Sequence, residues 1–143
     1  CTPSAVMELL AHYGVSLEGK SVAIAGRSLV VGRPLAMLML AANATVTVCH
    51  TRTADLAAVC RSADIVVAAA GRPGVIGADC VTERSIVVDV GINMGRDGKL
   101  CGDVDFAAVE PIVSMITPVP GGVGAVTTSL LAKNLLAAAR LQA

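Results

Sequence analysis

Apolar residues in this chain fall into short runs separated by glycine, proline and polar clusters. Ser21-Val-Ala-Ile-Ala25, Thr45-Val-Thr-Val-Cys49, Asp64-Ile-Val-Val-Ala-Ala69 and Ser85-Ile-Val-Val-Asp-Val90 are short and rich in β-branched residues, which predicts four strands. A fifth strand is expected over Ile112–Ile116. Between the runs the spacing turns helical. Val6, Leu9, Leu10 and Tyr13 recur at the helical period, with Thr2 as cap, Pro3 at the first position and Gly14 as the stop. Pro34 sits in the first turn of an apolar helix to about Ala42, Thr53 caps one from Ala54 to about Arg61, and Asp105 caps a short one through Val109. A long Ala/Leu helix is expected from about Val126 to Leu141. Asp97-Gly98 marks a turn between two short segments, and Thr117–Gly124 is expected to be irregular.

Strands that are apolar almost throughout, alternating with helices, need cover on both faces. The expected fold is α/β: a Rossmann-like, doubly wound, mainly parallel sheet with helices on both faces. The 143 residues suit one domain, and neither repeat nor linker divides them. With 55% hydrophobic residues the chain is not intrinsically disordered. One Tyr and one Phe leave little for base stacking. Eleven basic and eleven acidic residues balance to zero, so neither nucleic acid nor a membrane surface is an expected partner.

No apolar run approaches the ~20 residues that span a bilayer, and no leader-like segment opens the chain. The five cysteines form no Cys-x-x-Cys pair; no metal site is expected, and reduced thiols point to the cytoplasm. Because it opens on Cys1 rather than Met, the chain is taken as a piece of a longer protein.

Candidate chemistry gathers where strands end. Gly26-Arg-Ser-Leu-Val-Val-Gly32 lies between the first strand and a helix, where backbone N–H groups and the helix dipole can meet a phosphate. The same spacing also serves a plain tight turn, but Arg27 and Ser28 add a guanidinium and a hydroxyl, both natural phosphate donors. The second strand ends in Cys49-His50-Thr51-Arg52-Thr53, without the carboxylate that grips the ribose in NAD-preferring domains. Arg52, His50 and two hydroxyls suit a 2′-phosphate, so NADP is favoured over NAD; a solvated Arg52 is the alternative.

The third and fourth strands end at Gly71 and at Asp89-Val-Gly91-Ile-Asn93, on the same crevice. Asp89 is read as a structural carboxylate receiving loop N–H groups rather than as a catalytic one. Thr117-Pro-Val-Pro-Gly-Gly-Val-Gly124 is a candidate ligand-facing loop. His12, Tyr13, Lys20, Lys99 and Lys133 offer no convincing base, so no catalytic residue is assigned in this chain. The leucines of the last helix (Leu130, Leu131, Leu135, Leu136, Leu141) exceed one contact face and point to packing against another domain or subunit.

Cys1-Thr-Pro3, Gly26-Arg-Ser28, Val31-Gly-Arg-Pro34, Thr47-Val-Cys-His50, Ala63-Asp-Ile-Val66, Asp89-Val-Gly-Ile-Asn93, Gly102-Asp-Val-Asp105 and the Thr117–Gly124 loop occur in one order. Together they resemble the nucleotide-binding half of the bifunctional methylenetetrahydrofolate dehydrogenase/methenyltetrahydrofolate cyclohydrolase family. The resemblance implies NADP-dependent oxidation of the 5,10-methylene bridge, then hydrolysis to 10-formyltetrahydrofolate, with residues 1–143 as the NADP-binding domain of a longer, homodimeric enzyme. It implies that Gly26, Arg27 and Ser28 hold the cofactor phosphates, with Thr51 and Arg52 near the adenosine ribose. Ile92 falls near the nicotinamide end, and Pro120, Gly121 and Gly122 border the crevice for the tetrahydrofolate derivative.

In the family the catalytic lysine and its tyrosine neighbour belong to a preceding domain, so no lysine here inherits that role. Ala125-Val126 departs from the family's usual Pro-Met. Two other readings stay open: a different NADP oxidoreductase, such as a shikimate-dehydrogenase-like protein, and a non-catalytic nucleotide-binding module.

Overall fold

The computed structural model describes residues 1–142. In chain order they form α1 (Thr2–His12), β1 (Ser21–Ala25), α2 (Gly32–Ala41), β2 (Thr45–Cys49), α3 (Leu56–Ser62), β3 (Ile65–Ala68) and a 3-10 turn at Ala78–Cys80. Then come β4 (Ile86–Asp89), β5 (Asn93–Met94), β6 (Leu100–Cys101), α4 (Phe106–Val109), β7 (Met115–Ile116) and α5 (Val123–Gln142). Five strands pair in the order β2-β1-β3-β4-β7, every pairing parallel. β5 and β6 form a separate antiparallel hairpin across the Asp97-Gly98 turn. The Rossmann-like doubly wound α/β fold is thereby established.

Alternation along the strands builds two cores. Val22, Ile24, Ile65, Val67 and Val88 face α1, α2 and α5; Ala23, Ala25, Val66, Ala68 and Val87 face α3 and α4. β1 and β3, in the middle, are buried almost throughout, so continuous apolar runs are what both faces require. β2, at the edge, leaves Thr45, Thr47 and Val48 exposed. Since β3 lies on the opposite side of β1 from β2, the chain reverses direction there. That reversal is the topological switch point at which open α/β sheets receive ligands.

Several element ends differ from the sequence expectation, each for a local reason. α3 is capped by Asp55, whose Oδ1 accepts from the Ala58 N–H at 2.9 Å; the Thr53 hydroxyl accepts from the His50 N–H instead. α2 begins at Gly32, which puts Pro34 in its first turn as expected, and the Ser28 hydroxyl accepts from the Val31 and Gly32 N–H groups at its start. α1 begins at Thr2 with Cys1 in the cap position. α5 begins at Val123, so the glycine loop turns helical before its last glycine. The expected fifth strand shrinks to Met115–Ile116, because the Ile112 and Val113 N–H groups donate back to the Val109 carbonyl. β3 and β4 are each shorter by a residue at both ends than their apolar runs.

Leu130 on α5 is buried, whereas Leu131, Leu135, Leu136 and Leu141 are exposed. The helix therefore carries more apolar surface than its contact with α1 covers, as its leucine content predicts. No helix among the described residues is long and apolar enough to cross a membrane.

Candidate functional site

The carboxyl ends of β1, β2 and β3 enclose a cleft of about 340 Å³ at the switch point. Gly26, Arg27, Ser28 and Thr51 line it, as do His50 and Arg72. Gly26 has φ +141°, in the region that disfavours side chains, and a Cβ there would overlap the Ala69 carbonyl. The β1 turn is thus seated directly on the end of β3, and the Gly26 N–H donates to the Cys49 carbonyl at 2.9 Å, which ties the turn to β2 as well. Ser28 Oγ accepts from the Val31 N–H at 3.0 Å and from the Gly32 N–H at 3.4 Å. Both its lone pairs are engaged, which leaves the hydroxyl proton to donate outward. Arg33 Nε donates to the Arg27 carbonyl at 3.1 Å and fixes the same turn from the helix side.

Leu29 and Val30 follow Ser28 and are 76% and 75% exposed; neither lines the cleft, which is left clear. Arg52 is exposed and outside the lining. Its backbone N–H donates to His50 Nδ1 at 3.1 Å. Arg72 is a lining residue that sequence reasoning did not single out. It sits one residue past the Gly71 break, where it reads as an ordinary loop cation. The lining holds two arginines and a histidine but no carboxylate, so its charge and donors fit phosphate groups.

A second hollow, about 200 Å³, lies at the ends of β4 and β7. Ile92, Pro120, Gly121 and Gly122 all line it, with Ile92 69% exposed. The Val119-Pro120 peptide is cis. A third hollow, lined by Pro73, Gly74, Gly102 and Val104 among others, shares Asp89 and Val119 with the second and adjoins Arg72 of the first. The three make one crevice along the carboxyl edge of the sheet. It brings together Gly26, Arg27, Ser28, Thr51, Ile92, Pro120, Gly121 and Gly122, whereas Arg52, Gly71 and Asn93 lie next in sequence to lining residues without lining it themselves.

Beneath the crevice, Asp89 is the structural carboxylate that its setting predicts. Oδ1 accepts from the Gly91 and Asp103 N–H groups, at 2.9 and 3.0 Å, and Oδ2 accepts from the Val104 N–H at 2.9 Å. Burial pushes its carboxyl up from the ordinary value, with the Asp103 charge adding to the push and the three amides opposing it. The Asp89 N–H donates to Thr117 Oγ1 at 2.8 Å, which ties the end of β4 to the start of the glycine loop.

Cys49, Cys60 and Cys80 are buried on the α3 side of the sheet. Burial pushes the Cys60 thiol up to about 12, so it stays protonated and inert at neutral pH.

Fold and crevice together define a phosphate-binding, doubly wound nucleotide domain. The sequence pattern described as "Tetrahydrofolate dehydrogenase/cyclohydrolase, NAD(P)-binding domain" matches residues 1–143, and the chain belongs to that family. It is 57% identical over 143 residues to the bifunctional protein FolD of Carboxydothermus hydrogenoformans, covering 99% of this chain and 50% of that protein.

Among solved structures, the bifunctional FolD of Campylobacter jejuni superposes with a TM-score of 0.97 at 49% identity, over 100% of this chain and 51% of that one. The Trypanosoma brucei methylenetetrahydrofolate dehydrogenase-cyclohydrolase, solved with NADP cofactor and inhibitor, gives 0.88 at 45% identity, over 95% and 48%. The chain spans about half the length of the curated relatives it matches.

Proposed function

We propose that residues 1–143 are the cofactor-binding domain of a longer enzyme that oxidises 5,10-methylenetetrahydrofolate to 5,10-methenyltetrahydrofolate with NADP and hydrolyses the product to 10-formyltetrahydrofolate. The observation that carries this is the carboxylate-free, arginine-bearing cleft at the switch point, in a chain whose family pattern is an NAD(P)-binding domain. Relatives named as bifunctional enzymes, one of them solved with NADP, support the same reaction.

Gly26, Arg27 and Ser28 would hold the cofactor phosphates through a close approach that no side chain obstructs, a guanidinium and a free hydroxyl proton. Thr51 and Arg52 would meet the adenosine ribose and its 2′-phosphate. Arg52 is exposed and directly follows Thr51, which lines the cleft. Ile92 would give the nicotinamide end an apolar wall that excludes water, and Pro120, Gly121 and Gly122 would border the tetrahydrofolate derivative. When bound, the nicotinamide supplies the hydride acceptor.

Lys20, Lys99 and Lys133 line none of these three hollows, which supports assigning proton transfer to the remaining half of the enzyme, as the family resemblance implies. The exposed leucines of α5 fit packing against that half or against a second subunit of a homodimer. The free cysteines, none of them paired among the described residues, support a cytoplasmic location.

Calorimetric titration of this chain with NADP and with NAD tests the cofactor assignment. NADP should bind more tightly, and Arg52→Glu should weaken NADP about tenfold while changing NAD less than about threefold. Equal losses for both cofactors would remove Arg52 from 2′-phosphate recognition, and no binding of either would remove the cofactor assignment.

A further inference from the structure

We propose that Asp103 is a positioning residue that holds the two ends of the crevice in register; this rests on the NADP assignment above. Asp103 is 0% exposed. Its Oδ2 accepts from the Ala70 N–H at 2.6 Å and from the Gly71 N–H at 2.8 Å. Those amides form the turn that ends in Arg72 and makes one rim of the phosphate cleft. Its Oδ1 accepts from Asn93 Nδ2 at 2.8 Å, and the same Nδ2 donates to the Gly102 carbonyl at 3.1 Å. Asn93 directly follows Ile92, the residue that lines the nicotinamide-end hollow.

One carboxylate therefore grips both rims with three donors. It is anchored in turn, since its N–H donates to Asp89 Oδ1 at 3.0 Å and its carbonyl accepts from the Ile76 N–H at 3.3 Å. A Cβ at Gly91 would overlap the Asp103 carboxylate, so the Gly91–Ile92 segment rests against it. Among the described residues no cation pairs with Asp103; the ion pair found is Lys133–Glu8, on exposed helix faces. Its charge is met by N–H donors alone, and such charge-assisted bonds are short and stiff. Simple filling of the space would call for an uncharged side chain, because a buried unpaired charge is costly. The charge makes sense as a clamp on two loops whose spacing must match a ligand lying across both.

Two variants separate the ends. Asn93→Ala cuts only the Ile92 side, whereas Asp103→Asn leaves one acceptor oxygen for two rims. Each is titrated with NADP and with adenosine 2′,5′-bisphosphate, which reaches only the adenosine end. Asn93→Ala should weaken NADP about tenfold and leave the bisphosphate within about twofold, while Asp103→Asn should weaken both about tenfold. Equal effects of Asn93→Ala on the two ligands, or a bisphosphate affinity untouched by Asp103→Asn, would overturn the proposal.

Amide hydrogen exchange in the ligand-free chain reads the clamp without the cofactor. Ala70 and Gly71 should stay protected in Asn93→Ala and exchange at least about tenfold faster in Asp103→Asn. Unchanged exchange in Asp103→Asn would overturn the clamp. If the unaltered chain bound neither ligand yet showed this exchange pattern, the clamp would be supported and the NADP assignment would fail.

Discussion

Gly26→Val is expected to abolish NADP binding and to cost the fold about 3–5 kcal/mol. Two effects add. At φ +141° a β-branched residue is strained, and its Cβ would occupy the place of the Ala69 carbonyl, which is backbone and cannot swing aside. Relief requires β1 and β3 to part at their carboxyl ends, where the Ala69 N–H donates to the Ala25 carbonyl at 2.8 Å. Urea unfolding reads the stability loss and calorimetry the loss of binding. Gly26→Ala meets the same overlap with less bulk and should fall between the two. Native stability together with lost binding would mean that the turn yields locally, and that Gly26 serves the ligand alone.

Asp89→Ala is expected to destabilise the chain by about 3–5 kcal/mol, because it orphans three buried amide donors at once. The damage spreads through the fold's connectivity: the Gly91 loop, Asp103 and Val104 lose the acceptor that holds the hairpin return under the sheet. Asp89→Asn keeps one oxygen, which can still serve the Gly91 and Asp103 N–H groups, but turns an NH2 toward the Val104 N–H. Its cost should be about half that of the alanine variant. Equilibrium urea unfolding gives both values, and equal costs would show that charge rather than acceptor count stabilises this knot.

Much of the architecture was legible because it rests on local signals. β1 and β2 occupy the residues their apolar runs mark, Ser21–Ala25 and Thr45–Cys49. β1 is apolar from Val22 to Ala25, as burial on two faces demands, and stops at Gly26, whereas β2, at the edge, is visible through its β-branched Thr and Val residues. Element ends were less legible, because side-chain acceptors decide them. Thr53 looks like the helix cap in the sequence, and only the fold shows that Thr53 serves His50 while Asp55 caps α3. Ile112 and Val113 read as strand on composition, yet the turn back to Val109 uses their N–H groups and leaves their side chains packed in the second core.

The site divides along the same line. Gly26, Arg27 and Ser28 are adjacent in sequence, so their shared turn shows at once. Asp103 meets Ala70 from 33 residues away, so the Gly102-Asp-Val-Asp105 motif shows the residue but not the contact it makes. Arg72 is a similar case, because its place in the cleft comes from the β1–β3 pairing and not from its own neighbours.

The structure of this chain determined with bound NADP tests the central claim most directly. It should show the pyrophosphate within hydrogen-bond reach of the turn at residues 26–28, the 2′-phosphate beside Thr51 and Arg52, and the nicotinamide against Ile92. A cofactor bound away from that turn, or a Leu29 or Val30 side chain filling the cleft in its place, would contradict the account.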